Sequence, residues 1–262
     1  MVSDGTGLTE SSSATRARVQ QDMERHLGHS QFEPRQKVAL GCRILAREGH
    51  AQTLAGQVTV RCDAQTLWTT DFALGLREAR AGNLLRVDRN MQVVEGEGMP
   101  NPAVRFHLWI YDRRPDVQSI VHTHPPHASA LAMIGQPLVA AHMDAMMLHG
   151  ECAHLPDWPG VPIANEEGEI ISRALGGKSA ILLGHHGLLT VGGSVESAVY
   201  LAVSFENAAR LQLLASASGK IQLPAAELAE QAREFLTRRS IVNATFNYWA
   251  RQVIADDEAV LD

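Results

Sequence analysis

The sequence of 262 residues predicts an α/β fold in which helices pack around one central sheet. Short β-branched segments, typical of strands, are concentrated in the middle of the chain. Segments with apolar residues at helical spacing lie before, between and after them. No segment rich in Pro, Gly or Ser divides the sequence, so we expect a single domain over residues 16–262.

The individual elements follow from local patterns. Residues 14–29 and 34–48 carry charges between apolar positions, which predicts two amphipathic helices. Residues 56–62 alternate apolar and polar side chains, as a half-buried strand does. The further predicted elements are strands in LLRVD and MQVVEG, a helix at 102–114, a strand at 117–123, an acidic helix start at 165–169, two strand segments around GHHG within 179–193, and helices at 194–219, 224–239 and 244–254.

Composition and charge exclude several classes of protein. Hydrophobic residues make up 45% of the chain and charged residues 20%, which is enough apolar material for a packed core. The net charge of -6 is spread over interspersed acids and bases without a basic run, so we expect no nucleic-acid partner. The longest apolar stretches are much shorter than the roughly 20 residues that span a bilayer, so we expect no membrane association.

The amino terminus and the cysteines predict a cytoplasmic protein. Residues 1–15 have neither the basic start nor the apolar segment of a signal peptide, and we expect them to form a disordered tail. The three cysteines are widely spaced, odd in number and form no C-x-x-C pair. This pattern is typical of reduced thiols rather than of a disulfide framework.

The segment SIVHTHPPH, residues 119–127, indicates a metal site. His122 and His124 would project from the same face of a strand, and a divalent cation satisfies two adjacent neutral imidazoles. The two prolines that follow would end the strand and leave the pair at the rim of the sheet. GHHG offers a third ligand, but neighbours in a strand face opposite sides, so only His185 or His186 should join. A turn with incidental polar residues is the alternative.

RPDVQSIVHTHPPHASAL and the later AILLGHHGLLTVGGSVESAVYLAVSFENAARLQL resemble the class II aldolase/adducin family, which includes L-fuculose-phosphate aldolases. The similarity extends from about Arg35 to Leu214. It implies a class II aldolase-like sandwich, with a mixed or antiparallel sheet between helices, and a homotetramer with active sites at subunit interfaces. It also implies one divalent metal ion, zinc or alternatively manganese or iron, held by His122, His124 and His186.

The sequence departs from the family where the aldolases keep their acid and bind phosphate. Ala103, within PNPAVRFH, occupies the position of the catalytic carboxylate, and a methyl group transfers no proton. Asn101 and Pro102 replace phosphate-binding serines, and GQVT replaces Gly-Asn-Val-Ser. In TTDFA, Asp71 would repel a phosphate. We therefore expect a substrate other than a sugar phosphate.

These features predict a metal-dependent lyase acting on an unphosphorylated 2-oxo, 2-hydroxy or aromatic carboxylate through a metal-bound enolate. We favour decarboxylation over retro-aldol cleavage, because carbon dioxide leaves without a general base whereas aldol cleavage needs the substrate hydroxyl deprotonated. One alternative is a non-haem iron(II) oxygenase similar to the aminocoumarin-pathway enzymes on aryl-2-oxo acids. Another is a non-catalytic adducin-like binding module, which the retained histidines disfavour.

Further side chains are candidates with a structural alternative for each. His127 and Tyr248 are candidate catalytic groups, the alternatives being a helix cap and an aromatic packing anchor. Arg105 could bind a substrate carboxylate, as could Arg77, although either could instead form a salt bridge. His142 could line the substrate site or merely pair with Asp144. We expect His107 to be a helix residue bonded to the backbone rather than a ligand.

Overall fold

The computed structural model describes residues 11–27, 32–51, 53–161 and 164–262, and a mixed sheet forms the centre of this part of the chain. The strands are β1 (Gln57–Arg61), β2 (Thr66–Thr70), β3 (Leu84–Asp88), β4 (Val93–Glu95), β5 (Ser119–Thr123), β6 (Cys152–Leu155), β7 (Ala180–Leu183) and β8 (Gly187–Gly192). Their order is β4-β3-β2-β1-β5-β8-β7-β6. Only β6 and β7 pair in parallel among these strands; the other pairs are antiparallel.

Helices cover both faces of the sheet. They are α1 (Ser12–His26), α2 (Pro34–Arg47), α3 (Val104–Arg113), α4 (Pro126–Met133), α5 (Asn165–Leu175), α6 (Val195–Ser218), α7 (Ala226–Leu236) and α8 (Arg239–Asp256). Val121 on β5 packs with α2, α4 and α6, on what we term the α6 face. Its neighbour Ile120 packs with α3 and α5 on the α3 face. The predicted sheet between helices is therefore confirmed.

Helix α6 is the main apolar support of the sheet. It begins after Ser194, whose hydroxyl accepts a hydrogen bond from the backbone amide of Ser197 at 3.2 Å. Val199 and Phe205 are fully buried in the core that α6 shares with α2. Gly41 allows α2 to approach α6 closely, because a Cβ at this position would lie 2.9 Å from Cγ2 of Val199 on α6. This packing holds α6 across the sheet and beneath the N-terminus of α4.

The structure corrects several predicted boundaries. The predicted tail of residues 1–15 is too long, because α1 begins at Ser12, where Ser11 accepts a hydrogen bond from the backbone amide of Ala14 at 3.3 Å. Residues 1–10, like 28 and 29 of the predicted first helix, lie outside the described residues. The last long helix begins at Arg239 rather than at residue 244. None of the described helices combines the length and the apolar character that crossing a bilayer requires.

The strands β2 and β6 and the helix α4 were not predicted from the sequence. The helix α4 was not predicted because Pro125 and Pro126 were interpreted only as the end of a strand. Proline is also favourable in the first turn of a helix, and Pro126 is the first residue of α4. The consequence is functional. The chain leaves β5, passes His124 at the rim of the sheet, and immediately enters a helix that places His127 in its first turn.

Candidate metal centre

Three histidine side chains converge at one end of the sheet. His122 lies near the end of β5, His124 follows directly after β5, and His186 lies in the turn between β7 and β8. The Nε2 atoms of His122 and His124 are 3.0 Å apart. One ligand nitrogen from each of the three rings lies within 4.8 Å of the others. The arrangement could hold a metal ion, and we call these residues the histidine cluster.

The orientation of His122 is fixed by the neighbouring strand. Its Nδ1 donates a hydrogen bond to the carbonyl oxygen of Leu188 on β8 at 2.8 Å. That bond places the proton on Nδ1 and leaves the lone pair on Nε2, which faces the cluster. Phe106 on α3 packs edge-on against the His122 ring, with 5.2 Å between ring centroids.

Electrostatics keep the cluster in the form that binds cations. Burial, and then the adjacent His186 and His124 rings, lower the pKa of His122 well below its usual value. Burial also lowers the pKa of His124. Burial and the neighbouring His124 lower the pKa of His186 to about 4. The three imidazoles are therefore neutral at pH 7, as metal ligands must be.

The spacing of the nitrogens also fits a cation. Two nitrogens bound tetrahedrally at about 2.0–2.1 Å to one ion lie about 3.3 Å apart. The 3.0 Å between the Nε2 atoms of His122 and His124 is close to that separation. The donor set of three neutral imidazoles is one that zinc, manganese and iron all accept.

A tight turn decides which histidine of GHHG joins the cluster. His185 has a φ of 54° and an exposed side chain, while His186 turns inward. Gly187 must lack a side chain, because a Cβ there would lie 2.5 Å from the carbonyl oxygen of Thr123 and 2.8 Å from Cδ2 of His124. The predicted reason for the choice was therefore wrong. The two residues belong to a turn, and strand alternation does not separate them.

A buried carboxylate that sequence analysis missed holds His127 in place. Glu206 on α6 is 6% exposed. Its Oε1 accepts hydrogen bonds from Nδ1 of His127 at 2.6 Å and from the His127 backbone amide at 3.0 Å, and its Oε2 accepts one from the Ala128 backbone amide at 2.8 Å. Glu206 thus caps α4 and engages the His127 ring through Nδ1 rather than Nε2. The sequence feature that could have revealed this carboxylate is an acidic residue within an otherwise apolar helix.

The segments that the resemblance assigns to phosphate binding contain polar side chains with other partners. Asp71, just after β2, accepts hydrogen bonds from the backbone amides of Ala73 at 3.1 Å and Met99 at 3.2 Å. Asn101 accepts one from the backbone amide of Ala103 at 2.9 Å, in the turn that precedes α3. Asp71 therefore braces the loop that leads into α3, a role that the sequence did not indicate.

The remaining candidate side chains lie outside the histidine cluster. Arg105 is half-buried in the first turn of α3, and Arg77 is exposed. His142 accepts a hydrogen bond from the backbone amide of Asp144 at 3.2 Å, and Tyr248 on α8 is 54% exposed. Neither His142 nor Tyr248 belongs to the histidine cluster of this chain. The prediction that His107 bonds to the backbone was wrong, because its ring contacts the side chain of Thr59.

His107 is fully buried on α3 and bonds to a side chain. Its Nδ1 lies 2.9 Å from the hydroxyl oxygen of Thr59, which lies 2.8 Å from the hydroxyl oxygen of Tyr111. Burial lowers the pKa of His107 to about 3. The ring is therefore neutral and supports the contact between α3 and the sheet.

Residues 36–213 match the family model described as "Class II Aldolase and Adducin N-terminal domain". Among solved structures, L-fuculose 1-phosphate aldolase from Glaciozyma antarctica PI12 superimposes with a TM-score of 0.81 at 27% identity, covering 90% of this chain and 98% of that chain. The residues that match the family model contain all eight strands of the sheet.

Three similar proteins carry names that describe their activity. The decarboxylase NovR of Streptomyces niveus is 33% identical over 73% of this chain and 73% of its own length. A 4-hydroxy-3-prenylphenylpyruvate oxygenase/4-hydroxy-3-prenylbenzoate synthase of Streptomyces roseochromogenus subsp. oscitans is 32% identical over 73% of this chain and 71% of its own length. The 3,4-dihydroxyphthalate decarboxylase of Arthrobacter keyseri is 32% identical over 75% of this chain and 85% of its own length.

Proposed function

The chain belongs to the class II aldolase/adducin family, and we propose that it is a metal-dependent lyase that removes carbon dioxide from an unphosphorylated carboxylate. The similarity to decarboxylases and to an aldolase supports an enzyme of the aldolase and decarboxylase class. The observation that carries the proposed reaction is the combination of an intact histidine cluster with an alanine where the aldolases keep their acid.

The metal ligands in this proposal are His122, His124 and His186. Their rings are neutral, close together and held by the β5–β8 pair, which supports binding of one divalent cation. We propose zinc, with manganese or iron as alternatives. A cation there would supply Lewis-acid stabilisation of negative charge that develops beside a substrate carboxylate.

Ala103 distinguishes the two lyase reactions. It lies at the N-terminus of α3, where its backbone amide donates a hydrogen bond to the Asn101 side chain and its own side chain offers only a methyl group. Retro-aldol cleavage needs a base for the substrate hydroxyl, and such groups typically contribute about 10²–10⁴-fold to the rate. Loss of carbon dioxide needs no base at that step. Decarboxylation is therefore the reaction that the chain can support without the family's acid.

The product carbanion must still receive a proton. We propose His127 as the donor, because Glu206 orders its ring through Nδ1 and does not engage Nε2, three residues after the proposed ligand His124. In the proposed homotetramer, Tyr248 and His142 are surface groups that would reach an active site only from a neighbouring subunit. Arg105 is proposed to bind a substrate carboxylate from the first turn of α3.

The substrate is proposed to be an aromatic or 2-oxo acid rather than a sugar phosphate. Two relatives have names that specify aromatic acids, 3,4-dihydroxyphthalate and 4-hydroxy-3-prenylphenylpyruvate. The backbone amides that Asp71 and Asn101 engage are not available to a phosphate, and the Asp71 carboxylate would repel one.

A second candidate function is an iron(II) oxygenase acting on aryl-2-oxo acids. The observation in its favour is the 32% identity to an oxygenase, equal to that of the dihydroxyphthalate decarboxylase. Three histidines accept iron as well as zinc, so the cluster itself is compatible with both chemistries.

The deciding experiment is metal analysis of protein purified without chelator, followed by assays with three substrates. We expect zinc or manganese, and carbon dioxide release from an aromatic dicarboxylate such as 3,4-dihydroxyphthalate. Fuculose 1-phosphate should be cleaved negligibly in comparison. Bound iron together with oxygen uptake on an arylpyruvate would instead establish the oxygenase, and rapid cleavage of the sugar phosphate would refute the proposal.

A further inference from the structure

His50 is a buried histidine whose side chain contacts the residue between two members of the histidine cluster. It lies just after α2, is 1% exposed, and its Nδ1 lies 2.9 Å from the hydroxyl oxygen of Thr123. Thr123 is fully buried and separates His122 from His124 in the chain. Neighbours in a strand project from opposite faces, so this contact lies on the α6 face, while the His122 ring packs against Phe106 of α3.

Thr123 marks the point where β5 loses one of its two neighbours. In the described part of the chain, the pairing of β1 with β5 ends at His122, one residue before Thr123, whereas Thr123 still pairs with β8. The chain before β1 packs closely on the threonine, because a Cβ on Gly56 would lie 3.3 Å from Cγ2 of Thr123. The His50 contact therefore anchors the end of β5 where the ladder with β1 stops.

The His50 ring is costly to bury. Its Nε2 has no hydrogen-bond partner within the described ranges, although it is shielded from solvent. Burial lowers the pKa of His50 to about 3, so the ring is neutral at pH 7 and retains one unmatched nitrogen. An apolar side chain of similar size would fill this space without that penalty. A buried polar group that reduces stability is expected where function requires it.

Resting on the proposed metal-dependent function, we propose that His50 is a positioning residue for the histidine cluster. The His122 ring is already directed by the bond from its Nδ1 to Leu188, whereas His124 lies just beyond the end of β5. By holding the Thr123 side chain, His50 fixes the backbone that leads from the first ligand to the second. The Nε2 atoms of His122 and His124 are 3.0 Å apart, close to the separation that one ion requires. His50 thus increases metal affinity through Thr123 and is not itself a ligand.

The test measures the zinc dissociation constant of the purified protein by competition with a chromophoric chelator. His50→Phe removes the nitrogen that contacts Thr123 and keeps a ring, and Thr123→Val removes the hydroxyl and keeps the shape. Each variant should bind zinc about tenfold more weakly than the wild type. Because both changes remove the same contact, the double variant should bind zinc about as weakly as either single variant, rather than about 100-fold more weakly. The amide of His50→Asn can replace Nδ1 and should restore the affinity to within about threefold of the wild type.

Thr190→Val is the matched control. Thr190 is fully buried on β8, and its hydroxyl donates a hydrogen bond to the carbonyl oxygen of Ala198 at 2.8 Å. This variant loses a bonded, buried threonine hydroxyl, as Thr123→Val does. Urea unfolding of the metal-free proteins should show a similar loss of stability in both, but Thr190→Val should keep the zinc affinity of the wild type.

The outcomes separate a positioning role from a structural one. Wild-type zinc affinity in Thr123→Val would overturn the inference and leave the proposed function standing, as would additive losses in the double variant. Failure of the wild type to bind zinc would overturn both the inference and the proposed zinc centre. If His50→Phe does not fold, the comparison of Thr123→Val with Thr190→Val decides the outcome alone.

Discussion

The contact between Glu206 and His127 allows the structural role of a buried carboxylate to be separated from a proton-transfer role. Glu206→Gln keeps one oxygen for the two His127 contacts but turns an amide N–H₂ toward the backbone N–H of Ala128. One charge-assisted hydrogen bond is lost, and two donors then face each other in a buried site. At about 1.5–3 kcal/mol per bond to a charged group, we expect a loss of about 2–4 kcal/mol in the free energy of unfolding.

His127→Asn is the complementary change. The asparagine amide can donate to Glu206 as Nδ1 does, but the variant has no group equivalent to Nε2. Stability should therefore change by less than about 1 kcal/mol. Because a proton donor typically contributes about 10²–10⁴-fold, kcat should fall by that factor while KM changes little.

The assays are urea unfolding and carbon dioxide release under saturating substrate. Glu227→Gln, an exposed position on α7, is the control and should stay within about 0.5 kcal/mol of the wild type. Wild-type kcat in His127→Asn would refute the role of His127 as proton donor. Unchanged stability of Glu206→Gln would refute the account of the buried carboxylate.

Two further predictions concern metal retention and pH. His186→Ala should lose the bound metal after dialysis and His185→Ala should keep it, as measured by elemental analysis; equal loss in both would contradict the turn geometry. Burial lowers the pKa of His50 and His107 to about 3, so the unfolded state binds more protons than the folded state between about pH 6.5 and 3. The free energy of unfolding of the metal-free protein should therefore fall as the pH drops through that window, by up to about 1.4 kcal/mol per pH unit for each histidine. Urea unfolding at pH 7, 6 and 5 checks this, and a flat profile would contradict it.

The family, the sheet between helices and the histidines that converge were all accessible from the sequence. His122 and His124 follow from a β-branched run that ends in two prolines, and the glycines of GHHG indicate a close approach. These signals are local, because each depends on backbone preferences within a few residues. The strand at residues 66–70 was not predicted, although four of its five residues in TLWTT are of types that favour strands, and it pairs with both β1 and β3.

Only the tertiary structure decided which side chains meet across long separations in the chain. Glu206 lies 79 residues from His127, and its value as a cap exists only because α6 crosses beneath α4. The φ of His185 depends on how β7 joins β8, so strand periodicity could not predict the direction of either ring. The sequence by itself determined the chemical groups of the site, and the packing of α3 and α6 on the sheet determined their partners.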